Sequence, residues 1–136
     1  MHENSVDAIC ANPQTDKEFA TGSHDHTIKL WDAPKYGCKS TLKGHEKGVW
    51  GLNYSHDGKQ LISASPDWRA KIWDAKNGQC VDTLKGHTHF CFKAAFSSYG
   101  TKAATVGADC LLNYWDLRST KAPVFSNKGQ YLVLTR

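Results

Sequence analysis

Trp31-Asp32, Trp73-Asp74 and Trp115-Asp116 recur at intervals of 42 residues, and that interval decides the fold. A second series keeps the same register, because Thr41-Leu42-Lys43-Gly44-His45 returns unchanged as Thr83-Leu84-Lys85-Gly86-His87. Asp25, Asp67 and Asp109 form a third. Self-similarity at a fixed period of this size means stacked copies of one supersecondary unit.

Inside the period, short apolar runs alternate with turn signals, the pattern of an all-β repeat. In the middle copy Val49-Trp50-Gly51-Leu52-Asn53-Tyr54 reads as a first strand and His56-Asp57-Gly58-Lys59 as a hairpin turn, Asp-Gly being a favoured turn pair. Leu61 to Ala64 is the second strand, Ala70 to Trp73 the third, Asn77-Gly78 a further turn, and Cys80 to Leu84 the fourth. Each copy is thus expected to be one four-stranded antiparallel sheet.

These in-register Gly-His, Asp and Trp-Asp features resemble the WD-repeat family, and the resemblance covers nearly the whole chain. It implies an all-β fold of WD-type β-propeller blades: three four-stranded antiparallel blades forming an incomplete ring. The expected blades are residues 1–43, 44–85 and 86–128, with 129–136 the stub of a fourth blade or a C-terminal tail. Tyr131-Leu132-Val133-Leu134 is the run that would begin that fourth blade. The first copy departs from the pattern, with Met1 in the place of Gly and one extra residue around Pro13 to Lys17. Propellers of ~4 to 8 blades close as rings, so three blades leave an apolar face bare at each end. Closure calls for the remaining blades of a longer protein or for additional copies of this chain, the expectation being that the chain starts too late to supply a closing strand itself; a stable open arc is the third alternative.

The resemblance also implies a hydrogen-bonded tetrad in each blade. Carried over by position, these are His2, Thr21, Asp25 and Trp31; His45, Ser63, Asp67 and Trp73; and His87, Thr105, Asp109 and Trp115. The chemistry suits a relay: an indole N–H only donates, a hydroxyl accepts and donates onward, neutral imidazole does both, and a carboxylate accepts. These residues read as structural.

The rest of the sequence excludes more than it suggests. A net charge of +4, with acidic residues interspersed, lacks the footprint of a nucleic-acid binder. Met1-His2-Glu3-Asn4-Ser5 has no signal-peptide character and no run reaches a membrane span. The expectation is an intracellular protein, cytoplasmic or nuclear, bound to neither nucleic acid nor membrane. Five cysteines, odd in number and without C-x-x-C, argue against a disulfide framework and a zinc site. The pairs His24-x-His26 and His87-x-His89 lack accompanying ligands, so no metal is expected. Ser23-His24-Asp25 and Ser55-His56-Asp57 spell triad residues, but adjacent strand side chains point to opposite faces. No phosphate loop of the G-x-x-x-x-G-K type is present. The chain reads as a non-enzyme with no catalytic residues and no cofactor.

Surface recognition remains: a protein-protein interaction scaffold whose partners are proteins or peptides. The resemblance places docking positions early in the first strand of each blade and beside the tetrad Asp. Here those are Ser5, Asp7 and His24; Gly48, Trp50 and Pro66; and Phe90, Phe92 and Ala108, with Trp68 on the same side. Trp50, Trp68, Phe90 and Phe92 are the expected anchors, because aromatic side chains dominate binding hot spots. Asp7 and His24 would add polar specificity at the rim. Packing between blades is the competing role for the same rings. An alternative reading is a substrate-receptor subunit of a cullin-type ubiquitin ligase, docking through Trp115-Asp116-Leu117-Arg118 with Arg118 the distinctive residue. Trp-Asp-x-Arg also arises for local salt-bridge reasons.

Overall fold

A computed structural model describes residues 1–128. Tyr131 to Leu134, the expected start of a fourth blade, lie outside the described residues. Every regular element among the described residues is a strand. The first sheet comprises β1 (Val6–Ala11), β2 (Glu18–Ser23), β3 (Thr27–Asp32) and β4 (Gly37–Lys43). The second comprises β5 (Gly51–Tyr54), β6 (Gln60–Ala64), β7 (Arg69–Asp74) and β8 (Cys80–Lys85), and the third β9 (Cys91–Phe96), β10 (Lys102–Gly107), β11 (Leu111–Asp116) and β12 (Phe125–Lys128). All pairings are antiparallel between sequence neighbours, so each sheet is a meander of local hairpins.

Turn chemistry sets the hairpins. In the β5–β6 turn Gly58 takes φ +71°, a left-handed value that costs glycine nothing. The Asp57 carboxylate accepts from the Ser55 hydroxyl at 2.7 Å and the Lys59 amide at 3.0 Å, locking the turn. The first strand of this blade is shorter than its sequence suggests, its ladder starting at Gly51 and not at Val49. The Val49 amide leaves its own sheet to donate to the Ser23 carbonyl of the first sheet at 2.9 Å, and the Cys91 amide bonds Ser65 of the second in the same way at 3.0 Å. The residues entering each sheet therefore serve as clasps between sheets.

The sheets pack face to face, β1 against β5 and β5 against β9. Strand alternation gives each sheet two different faces. One is aliphatic: Ala20, Ile28, Leu30 and Leu42 in the first sheet, Ile62, Ala64, Ala70, Ile72 and Leu84 in the second. The other carries the repeated tryptophan. Trp73 and Leu61 of the second sheet seat on the first sheet's aliphatic face, and Trp115 and Ala103 of the third seat on the second's. A glycine makes each contact possible: a Cβ at Gly44 would lie 3.0 Å from Trp73 Cη2, and one at Gly86 2.9 Å from Trp115 Cη2. The repeated Gly-His pair thus has a packing reason for its glycine. Trp31 carries the same indole on the first sheet, but no described element covers it. It stacks on Phe19 and the two line a cavity of about 350 Å³ with Met1, Val6 and Asn4.

Candidate functional site

The tetrad positions converge in space with one repeated geometry. In the second blade the Trp73 indole donates to Ser63 Oγ at 2.8 Å, Ser63 meets His45 Nε2 at 2.6 Å, and His45 Nδ1 meets Asp67 Oδ2 at 2.7 Å. The corresponding distances are 2.7, 2.8 and 2.8 Å through Trp31, Thr21, His2 and Asp25, and 3.0, 2.8 and 2.9 Å through Trp115, Thr105, His87 and Asp109. Because the indole only donates, the hydroxyl passes its own proton to Nε2 and the Nδ1–H points at the carboxylate. The histidine side chains are at most 4% exposed, and the second and third relays are shut away from solvent, while His2, Thr21 and Trp31 of the first border the uncovered cavity.

The Asp at the end of each relay shapes the turn beyond it. Burial alone would raise the Asp67 carboxyl, but the His45 hydrogen bond, with the Glu46 and Arg69 amides, outweighs it and holds the carboxyl below its usual range. Asp25 and Asp109 are likewise lowered against burial, Asp25 chiefly by the Thr27 hydroxyl and amide and Asp109 by the Thr88 and Leu111 amides. In each blade the Asp Oδ1 accepts the amide two residues on: Thr27 at 2.9 Å, Arg69 at 3.0 Å and Leu111 at 3.0 Å. That bond bends the intervening residue into the left-handed region, with φ 74° at His26, 76° at Trp68 and 64° at Cys110. None is glycine. A bulky side chain at such a φ is a strained choice, and Trp68 is half exposed besides.

Trp68 belongs to a larger cluster. Phe92 stacks on Trp50 at 5.6 Å, Trp50 meets Phe90 edge-on at 5.6 Å, Phe90 meets His89 edge-on at 4.4 Å, and His89 stacks on Trp68 at 6.4 Å. Five rings form one ribbon over the junction of the second and third blades, at the end where the tetrad carboxylates sit. The four expected anchors are thus in one assembly. His89 links its two halves and was not among the expected anchors, since the sequence weighs it only beside His87 as a metal pair that lacks further ligands. His87 is sealed in its tetrad, while His89 lies on the surface with Nδ1 accepting the Phe90 amide at 2.9 Å.

The polar candidates lie on the first blade. His24 Nδ1 faces Asp7 at 3.9 Å, both partly exposed, and the His24 amide donates to the Ser5 carbonyl at 2.9 Å. Gly48 packs beneath His24, where a Cβ would lie 3.1 Å from the His24 Cα. Pro66 is buried and Ala108 half-buried, its amide bonded to the Phe90 carbonyl at 2.8 Å. Neither residue belongs to the ribbon.

The remaining motifs have local partners. Ser23 Oγ engages the Asn4 carbonyl and the Asp25 amide, while His24 turns to Asp7 and Asp25 to His2. Ser55 Oγ bonds Asp57 directly, with His56 exposed. Arg118 forms a two-pronged pair with Asp116, Nε to Oδ1 at 3.0 Å and Nη2 to Oδ2 at 2.8 Å, with Lys102 on the same carboxylate at 2.7 Å. The Arg118 hydrogen bonds, with those of Lys102, hold that carboxyl well below its usual range. Burial drives the Cys10 and Cys91 thiols up to about 12, so both stay protonated.

The family model for "WD domain, G-beta repeat" matches residues 1–32, 36–74 and 78–116. This chain belongs to the WD-repeat family. Among its relatives, a probable coatomer subunit beta' of Caenorhabditis elegans is 41% identical over 59 residues, covering 43% of this chain and 6% of the relative. A nuclear distribution protein, PAC1, of Mycosarcoma maydis is 50% identical over 44 residues, covering 32% and 10%. A pre-mRNA-splicing factor, PRP46, of Debaryomyces hansenii is 40% identical over 62 residues, covering 46% and 15%. This WD-repeat chain therefore spans only a small part of the relatives it matches. Among its described residues, no helix is long and apolar enough to cross a membrane.

Proposed function

We propose that this chain is a protein-interaction scaffold that holds a partner protein on the aromatic ribbon. The ribbon itself carries the reading: Phe92, Trp50, Phe90, His89 and Trp68 in unbroken contact, ending on a half-exposed tryptophan in a strained backbone conformation. Aromatic side chains desolvate large areas at little rotamer cost, and truncating one at a hot spot costs about 2 kcal/mol or more. Strain kept at a surface turn is a feature of binding sites. Relatives named for a coat, for nuclear distribution and for splicing suit a module that assembles proteins without making or breaking bonds.

A second surface serves assembly. Trp73 is 1% exposed and Trp115 0%, each covered by the aliphatic face of the preceding blade, whereas the Trp31 and Phe19 face lacks such a cover among the described residues. The complement is a further blade, from a longer protein or from another copy. The Arg118 guanidinium is committed to Asp116, the local role of a Trp-Asp-x-Arg segment, and nothing in the relatives' names favours ligase docking.

Affinity capture tests the ribbon reading. The parent chain, a Trp50→Ala/Phe90→Ala variant and a Val81→Thr control on the exposed outer strand are compared by quantitative mass spectrometry. Partners held by the parent and the control but lost from the ribbon variant, with its fold intact by circular dichroism, support the reading. An unchanged partner set overturns it.

A further inference from the structure

We infer that the ribbon selects an acidic protein segment carrying large apolar side chains; this rests on the ribbon being the docking surface. Cations outnumber free carboxylates around the rings, with Glu46 the exposed exception. Lys93 Nζ donates to the Trp50 carbonyl at 3.4 Å, Arg69 follows Trp68, and Lys47 precedes Trp50 in the same loop. Arg69 is the directly opposed cross-strand partner of Lys85, two cations on adjacent strands of one sheet. Like charges in that arrangement repel. The first blade has no such pair, setting Thr27 against Lys43. Of the carboxylates in these ring-bearing segments, Asp67 is 2% exposed and committed to its tetrad, and Glu46 lies 4.0 Å from Arg69.

The rings themselves narrow the ligand. Their centroids lie 4.4 to 6.4 Å apart, already in mutual contact, so no cage is open for an ammonium group. The surrounding cations would repel one. Bases of a single-stranded nucleic acid need open ring faces in series. Here Phe92 covers one face of Trp50, His89 covers one face of Trp68, and the Phe90 contacts are edge-on. Apolar side chains laid along the ribbon, with acidic neighbours reaching Arg69, Lys85 and Lys93, satisfy both the rings and the charges.

The test is selection from a library of random dodecapeptides displayed on phage, using the full chain, a Lys85→Glu/Lys93→Glu variant and a Trp68→Gly variant, with melting curves run on all three. The parent is expected to enrich Asp or Glu beside Leu, Phe, Trp or Tyr. Peptides so selected should lose affinity at least about tenfold on the charge-reversed variant and on Trp68→Gly. Should the double reversal fail to fold, Lys93→Gln carries the charge arm, with a smaller loss and a weaker dependence on salt. A basic or neutral consensus that still needs Trp68 overturns the acidic assignment and leaves the ribbon as a docking surface. Peptides indifferent to Trp68→Gly, or no enrichment, overturn both. Binding of a fluorescent oligouridylate in competition with the selected peptides overturns the assignment in favour of nucleic acid.

Discussion

Trp68 and Trp73 lie five residues apart in one blade and lead opposite lives. Trp73, in β7, is 1% exposed, donates its indole N–H to Ser63 and fills the gap beside Gly44. Trp68, in the turn before β7, is 50% exposed, has its backbone at φ 76° and stacks on His89 of the ribbon. One indole is held by the fold, and the other is held out by it. Composition and hydropathy treat the two alike; the hydrogen-bond partner and the backbone conformation separate them. Trp31 is an intermediate case, having the relay of Trp73 without a covering blade.

The largest effect belongs to Trp73→Ala. Removing a fully buried tryptophan costs about 3–5 kcal/mol, which in an urea titration should leave little or no cooperative transition. Trp31→Ala should cost less than Trp73→Ala in the same titration, since its outer face buries less area; equal losses would erase the distinction between covered and uncovered blades. Next comes Ser63→Ala, which leaves the Trp73 indole and His45 Nε2 without their shared partner. A loss of about 1–3 kcal/mol is expected, mirrored by Thr105→Val in the third blade.

Acid offers a gentler perturbation. The folded-state values of Asp25, Asp67 and Asp109 lie below the ordinary carboxylate range, so their contribution is fully present above the unfolded value of about 3.9 and is lost as pH falls beneath it. Stability measured from pH 6 downward should hold to roughly pH 4 and then decline. Asp67→Asn should flatten that decline at the expense of stability near neutral pH, and an unaltered profile would show that the carboxylate is not the group being titrated.

How much of this was legible in the sequence follows from which contacts repeat. The relays were placed through the resemblance to the WD-repeat family, whose tetrad positions fall on residues that the 42-residue interval aligns, His2 standing one residue out of step. The ribbon is another matter. Trp50 meets Phe90 and Phe92 across a blade junction, and no periodicity announces a contact made once. His89 was read through its neighbour His87, although the two side chains part company at the edge of the tetrad. The left-handed conformation of Trp68 was also hidden, since the turn carries no glycine. Its signal was the alignment of Asp25-His26-Thr27, Asp67-Trp68-Arg69 and Asp109-Cys110-Leu111, three turns braced by one carboxylate geometry. The Asn113 amide, buried opposite Ser126 with Nδ2 unpaired among the described residues, occupies the place that Lys29 and Lys71 take opposite Thr41 and Thr83, a substitution nothing in the sequence marked as unusual.

Trp68→Gly isolates the central claim, because glycine adopts the observed φ without strain and the substitution leaves every tetrad untouched. Its folding stability should stay within about 1 kcal/mol of the parent. The decisive measurement is the affinity of this variant, by titration, for a partner captured by the parent chain. A loss of at least about tenfold is expected, with the urea midpoint preserved. Equal affinity in a normally folded Trp68→Gly variant would contradict it and return the ribbon to the role of packing between blades.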